Sequence, residues 1–484
     1  MKKFIKIAAV VTVVCMLGTL LAGCGNEFNE HGRLRVFFQD QRGTDTKLVS
    51  DTLDKMVQEK IGVSVEIVQF GPTEFSTKLP MMLASDEQMD IGWDSGATFV
   101  TRARQGAYYD ISEILPKYAP DLYNLYPDTK FWEGVTIDGG LYGVPTLKEM
   151  GEQWAVYTDE ESMNDAIAAG FEYDIDRVYE LKELEPVLKA QMDNGRRGYC
   201  ANTSIQTENL FKNYYFDTVV DNFVINKKDG KTIQHLYFTP EYEEYVKLMK
   251  DWYNKGYIAE DVHLGSGAWY GRGAGMAFVG YAPGNEDIQT YYAKETRIPI
   301  MVSPVEITNN SVRGSIFAVY AKTINAKDDL LFMQLWNTDP EVKNLITYGI
   351  EGKHYTLNEE GKVVQDENYL SMYLNQNWAT GNNLISYLLA TEKDDKYEKF
   401  EKWNNEADFS VCFGFTPDTS EVEGYILSVN SICNTYAGLL GSGYPEIDDP
   451  EYGLAAIQKK LKDAHVDDVI ENLQIQFDAW LESK

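Results

Sequence analysis

The chain is rich in flat aromatic side chains that stand beside fixed polar ones. It holds nine Trp and thirty-two Tyr. Several fall in short clusters with Asp, Asn or Gln: Gln39-Asp40, Trp93-Asp94, Gln153-Trp154, Trp269-Tyr270, Tyr281 with Asn285, and Asn377-Trp378. Arg313 adds a cation on a candidate returning strand. Aromatic faces pack against C–H-rich surfaces, while amides, carboxylates and guanidinium groups supply the directed hydrogen bonds that hydroxyls need. Such a mixture suits a cleft for carbohydrate. Packing competes with that reading at every position. Trp93 closes a strand and is either cleft wall or core, and on an alternating strand only one of Gln153 and Trp154 faces inward. Trp269-Tyr270, set among Gly265, Gly267, Gly271 and Gly273, is either a clamp over the ligand or an anchored loop. Trp336 and Trp132 are expected in the core.

Signatures of catalysis are missing where an enzyme would need them. There is no G-x-S-x-G elbow, no H-E-x-x-H pair and no G-K-[ST] phosphate loop. Gly271-Arg272-Gly273-Ala274-Gly275 precedes a strand instead of opening a helix, so it does not read as a dinucleotide site. With seventy-five acidic residues, paired carboxylates remain available, and a secreted glycoside hydrolase is the enzymatic alternative. It would place two buried carboxylates across the cleft at roughly 5–10 Å. The five His never fall at metal-ligand spacing, and the five Cys hold no C-x-x-C. No metal and no cofactor is expected. Asp448-Asp449 reads as a solvated acidic loop, with calcium the minor alternative.

The elements that must carry these residues begin with Leu34-Arg35-Val36-Phe37-Phe38, an apolar run suited to a buried strand. Leu48, Leu53, Met56, Val57 and Ile61 then recur at helical spacing, with Thr44 and Asp45 as N-cap candidates and Gly62 as the stop. Residues 63–68 alternate as a second strand. Strand, helix, strand with short links implies a parallel sheet with helices on its faces. The pattern repeats through a helix over 75–85 into the strand 89–93, which sets Trp93 and Asp94 at a carboxyl end, where open sheets hold ligands. A first crossing to another lobe is expected near 153–158, and an amphipathic helix from Val178 to Met192 beyond it. Met276 to Gly280 reads as a strand that delivers Tyr281 to a Pro-Gly turn. A return crossing is expected near 312–319.

Length and charge fit this division. At 484 residues the chain exceeds one ordinary core. The net charge is −31, which excludes ordinary electrostatic binding to nucleic acid or to anionic lipid. The N-terminus supplies another attachment. Lys2, Lys3 and Lys6 precede an apolar run from Ile7 to Leu21, short of the ~20 residues of a spanning helix. Leu21-Ala22-Gly23-Cys24 closes it and resembles the bacterial lipoprotein box, in which cleavage before the Cys leaves Cys24 as the lipidated N-terminus. Loss of the three lysines would take the mature charge from −31 to −34. Of the remaining thiols Cys200, Cys412 and Cys433, buried free Cys is the simple reading and a Cys412–Cys433 bridge the alternative.

Five ordered motifs carry a resemblance to family 1 extracellular solute-binding proteins, specifically a sugar-type lipoprotein subgroup with an extra C-terminal domain of unassigned function. They are Lys78 to Ser85 with Met89-Asp90-Ile91, Ile111 to Pro120, Ile137 to Pro145, Thr338 to Tyr355, and Phe413 to Asp418 with the last helix through Trp480. The resemblance implies an α/β, two-lobed periplasmic-binding-protein-like fold (type II) with the ligand in the inter-lobe cleft. It implies a signal peptide over 1–23, a tether over 24–32, a first lobe over 33–153, a second lobe over 154–311, a return to the first over 312–400 and a C-terminal helical segment over 401–484. The family also carries an aromatic at the position of Tyr281, close to the ligand, and residues 377–382 resemble a loop near the cleft. By resemblance the chain is a lipid-anchored monomer on the extracellular face of the membrane. It would hand an oligosaccharide to the permease subunits of an ABC importer; a non-transport surface adhesin that binds glycans is the rival.

Overall fold

The computed structural model describes residues 32–40, 43–195, 204–258, 276–284 and 295–484. The chain opens with β1 (Leu34–Gln39), α1 (Thr46–Ile61), β2 (Val65–Phe70), α2 (Pro72–Ala84), β3 (Ile91–Asp94) and α3 (Gly96–Arg104). The three strands are parallel, with Leu34 to Gln39 of β1 in register with Val65 to Phe70 and Val36 opposite Ile91. Strand composition follows position. β1 lies inside the sheet and is buried almost along its length, whereas β2 at the edge alternates buried and half-buried residues. Gly92 is required in β3, because a side chain there would collide with the Tyr320 ring. Gly62 ends α1 in the left-handed conformation, as expected of a C-terminal Gly. Asp45 does not cap that helix; its carboxylate instead meets Lys353 Nζ at 2.9 Å and His354 Nε2 at 3.2 Å.

After β4 (Val144–Pro145) the chain crosses into the second lobe through β5 (Gln153–Asp159), followed by α4 (Glu160–Ala168). The helix expected from Val178 is shorter. Val178 bridges Met301 in extended form, a 3-10 turn spans Leu181–Leu184, and α5 covers Glu185–Asp193. Pro186 explains the new start, since a residue without an N–H fits only the first helical turn. Then come α6 (Ser204–Tyr215), the antiparallel strands β6 (Phe216–Val220), β7 (Phe223–Asn226) and β8 (Ile233–His235), and α7 (Pro240–Asn254). β9 (Met276–Tyr281) and β10 (Arg297–Met301) flank β5 on either side, both antiparallel to it.

The return passage lies over 302–307, ending in β11 (Glu306–Ile307), earlier than the alternating run 312–319 suggested. The run itself splits. Thr308 and Ser311 form a capping box on a one-turn helix, and β12 (Ile316–Val319) belongs wholly to the first sheet, whose order is β2-β1-β3-β12-β4. β12 runs antiparallel to β3, so that sheet is mixed. Beyond it lie α8 (Ala326–Thr338) and α9 (Pro340–Tyr348), the latter capped by Asp339 through the N–H groups of Glu341 and Val342. α10 (Lys396–Glu406) leads to β13 (Asp408–Phe409), paired with β11, and on to α11 (Glu423–Ser442), α12 (Leu454–Asp463) and α13 (Val466–Glu482).

Two cores result. One gathers Val36, Leu53, Ile91, Phe317, Leu330 and Trp336 from the first sheet and its helices. The other gathers Val156, Leu188, Phe223 and Met249 with Val429 and Phe477 of the C-terminal helices. Those helices therefore complete the second lobe. Trp336 and Trp132 are both buried, the latter stacked on Tyr123. Cys412 and Cys433 are buried free thiols, each pushed up to about 12 by burial, and the Cys412–Cys433 bridge is not formed. Among the described residues no group of His, Cys, Asp and Glu could hold a metal ion, and no helix is long and apolar enough to cross a membrane.

Candidate functional site: a tryptophan platform beside the crossing strands

The carboxyl ends of β1 and β3 converge on one loop, residues 376–383. Asp40, directly after β1 and buried, accepts a 2.6 Å hydrogen bond from the Gln376 backbone N–H. Trp93 on β3 donates through Nε1 to Ser315 Oγ at 3.0 Å, and Ser315 donates onward to the Ala379 carbonyl at 3.1 Å. Gly381 adopts φ +57° and seats the loop on the buried Trp336 ring; a Cβ there would lie 3.0 Å from Trp336 Nε1. The loop so held presents Trp378, the one Trp among the described residues left open, at 46% exposure. Its Nε1 donates to Gln376 Oε1, and the Lys148 ammonium stands 5.7 Å from the ring centroid.

A groove of about 380 Å³ adjoins this ring and is lined by Glu149, Asn375, Gln376, Lys396 and Tyr397 among others. Its wall is tied to the crossing segment through α10. Asn404 accepts from the Met150 N–H at 2.7 Å and donates to the Lys148 carbonyl at 2.6 Å, and Trp403 Nε1 donates to the Gly151 carbonyl at 3.1 Å. The second lobe reaches the same helix. Tyr281 packs on Trp403 with ring centroids 5.8 Å apart, and Gly284 lies so near Lys396 that a Cβ would sit 2.8 Å from its Cγ. Aromatic face, amides, carboxylate and ammonium thus stand together where both lobes meet.

The other candidates lie apart from this groove. Trp154 and Arg313 line a separate cavity of about 370 Å³, between α3 and the β6–β7 hairpin. Trp154 Nε1 donates to Glu152 Oε1 at 3.0 Å. Arg313 donates to the Gly134 carbonyl at 2.6 Å and to Thr416 Oγ1 at 2.7 Å; burial, and then Arg104, lower its guanidinium to about 10. Gln153 is buried and ties the two crossing strands through Nε2 to the Ser303 carbonyl at 3.0 Å. Asp94 is buried and fully engaged with Arg102, Tyr108 and Thr98. Gln39 is half-buried at the end of β1. Trp269, Tyr270, Asn285 and Cys24 lie outside the described residues.

In that second cavity the buried Asp217 stands with the half-buried Glu306. They share Lys227, whose Nζ lies 3.7 Å from Asp217 Oδ1 and pairs with Glu306 Oε2. Desolvation, followed by the Asp217 charge, raises Glu306 to about 7, and desolvation raises Asp217 as well.

Lys148, Glu149, Ser315, Gln376 and Tyr397 were not among the sequence candidates. Lys148 and Glu149 follow the Tyr-Gly-Val-Pro turn by only three and four positions, a signal at hand in the sequence.

Residues 52–350 match the family model for bacterial extracellular solute-binding proteins, more than half of the chain, and the protein belongs to that family. Residues 411–482 match a domain of unknown function. Among particular relatives, a Streptococcus pneumoniae protein named carbohydrate ABC transporter substrate-binding protein is 26% identical over 510 residues, spanning 100% of both chains. The crystal structure of an N-glycan transport solute binding protein from the same species superposes with a TM-score of 0.75 at 22% identity, covering 93% of this chain and 99% of that one. The same protein in complex with Man5GlcNAc gives 0.62 at 22% identity, over 94% and 99%. These likenesses establish the two-lobed α/β solute-binding fold.

Proposed function

We propose that the protein captures an oligosaccharide for an ABC importer, with Trp378 as the platform on which a sugar ring stacks. The observation that carries this reading is the exposed Trp378 indole, fixed from below by strand-end residues and ringed by Gln376, Glu149 and Lys148. An apolar face with convergent polar groups is what a pyranose needs. Tyr281, placed by the second lobe against the groove-lining helix, would contribute from the other side as the lobes close. Closure follows from ligand contacts on both lobes, which favour the closed arrangement over the open one. The names of the pneumococcal relatives support carbohydrate, and N-glycans in particular, as the ligand class.

Cys24 would carry the lipid that holds the protein, as a monomer, on the outer face of the membrane beside its permease. Calorimetry against a glycan panel that includes Man5GlcNAc tests the ligand class. Saturable binding of an oligosaccharide is expected; binding of peptides with no sugar bound would overturn it. Replacing Cys24 with Ala should release the protein to the medium with binding intact.

A further inference from the structure

Lys343 on α9 is fully buried, and every oxygen bound to its ammonium belongs to the loop that presents Trp378. Nζ donates to Asn377 Oδ1 at 2.8 Å, to Thr380 Oγ1 at 3.0 Å, to the Thr380 carbonyl, and at 3.4 Å to Asn383 Oδ1. None of these acceptors is a carboxylate. Burial accordingly holds the amine well below its ordinary range. A lone cation in a protein interior is costly. Val342, Leu345 and Ile346 beside it are buried apolar residues, so packing alone would be served better by Leu or Met at 343.

What the ammonium does is local. It gathers residues 377, 380 and 383 around one point and closes a short loop into a ring. Asn377 is fixed further, since its Oδ1 also accepts from Ser386 Oγ at 2.9 Å while its Nδ2 donates to Tyr397 OH at 3.4 Å in the groove wall. Trp378 is the next residue, and its own ring meets Gln376 and Lys148. Lys343 joins Asp40 and Ser315 in holding the backbone around it. We infer that Lys343 is a positioning residue whose ammonium, bound to Asn377, Thr380 and Asn383, presents Trp378 to the cleft. The inference takes its purpose from the reading of Trp378 as the sugar platform.

The test compares Lys343→Met with the full protein by acrylamide quenching, taking the Trp378 signal as the difference from a Trp378→Phe counterpart of each. Thr380→Val, which removes one acceptor and keeps the side chain's shape, serves as the second variant and decides alone should Lys343→Met fail to fold. Trp378 is expected to become more open to acrylamide in both. Man5GlcNAc affinity should fall by about ten-fold, the scale of one or two lost hydrogen bonds, and fall no further when Lys343→Met is added to Trp378→Ala. Unchanged quenching in the folded variants overturns the inference, as does an affinity loss that adds in full to that of Trp378→Ala. If Trp378→Ala alone leaves Man5GlcNAc binding intact, the platform reading falls, and quenching still decides what Lys343 does.

Discussion

Asp40 and Gln376 lie 336 positions apart in the chain and are joined by a 2.6 Å hydrogen bond from the Gln376 N–H to the buried Asp40 carboxylate. The bond fastens a late loop to the carboxyl end of the first strand. It makes Asp40 part of the scaffold under the site. Asp40→Ala would leave the Gln376 N–H without this acceptor, a loss of about 1–3 kcal/mol. Thermal unfolding should report that loss, and calorimetry a weaker glycan affinity.

Trp378→Ala separates binding from folding. The ring is nearly half exposed, and substitutions at such surface positions usually change stability by no more than about 0.5 kcal/mol. Removing the platform should weaken oligosaccharide binding by about ten-fold or more, equivalent to about 1.4 kcal/mol. Unchanged affinity in the same calorimetric series would move the site elsewhere.

Gly381→Ala should act on the loop from beneath. Its φ of +57° is left-handed, which costs an L residue about 1–2 kcal/mol. The new methyl would also press on Trp336 at 3.0 Å from Nε1. A lowered melting temperature with Trp378 more open to acrylamide is the expected pair of results. A lowered melting temperature with unaltered quenching would show that the strain is absorbed in α8 instead.

How far the sequence disclosed these parts depends on whether a residue's role is local. Apolar periodicity located β1, α1 and β2, because burial of one face is written into neighbouring residues. The family motifs supplied the two lobes. Asp40, Trp93 and Trp378 stood out by type, yet only folding shows that the first two support the loop that carries the third. Asp94 and Gln153 looked equally suitable as ligand contacts. Their polar groups are occupied by Arg102 and by the Ser303 carbonyl, partners that no local pattern announces. Lys343 gave no signal, since a lysine on an amphipathic helix ordinarily faces water. The return crossing was misplaced because 312–319 alternates like a crossing strand while its second half is an inner strand of the first sheet.

The acid pair at the crossing strands gives the molecule a pH signature. Glu306 lies on β11, whose neighbour across the passage is Glu152, and it shares Lys227 with Asp217. Desolvation and the Asp217 charge lift its pKa from 4.5 to about 7. A carboxyl with a raised folded-state pKa binds its proton more tightly when folded. Its contribution to stability is therefore full below the unfolded value of 4.5 and is lost as pH rises through about 7. Glu306→Gln keeps the shape and removes the titration. Between pH 4.5 and about 7 the full protein should lose stability relative to Glu306→Gln, so the gap between their melting temperatures should change steadily across that window. Parallel melting curves throughout the window would show that Glu306 stays ionised and that Lys227 compensates its charge.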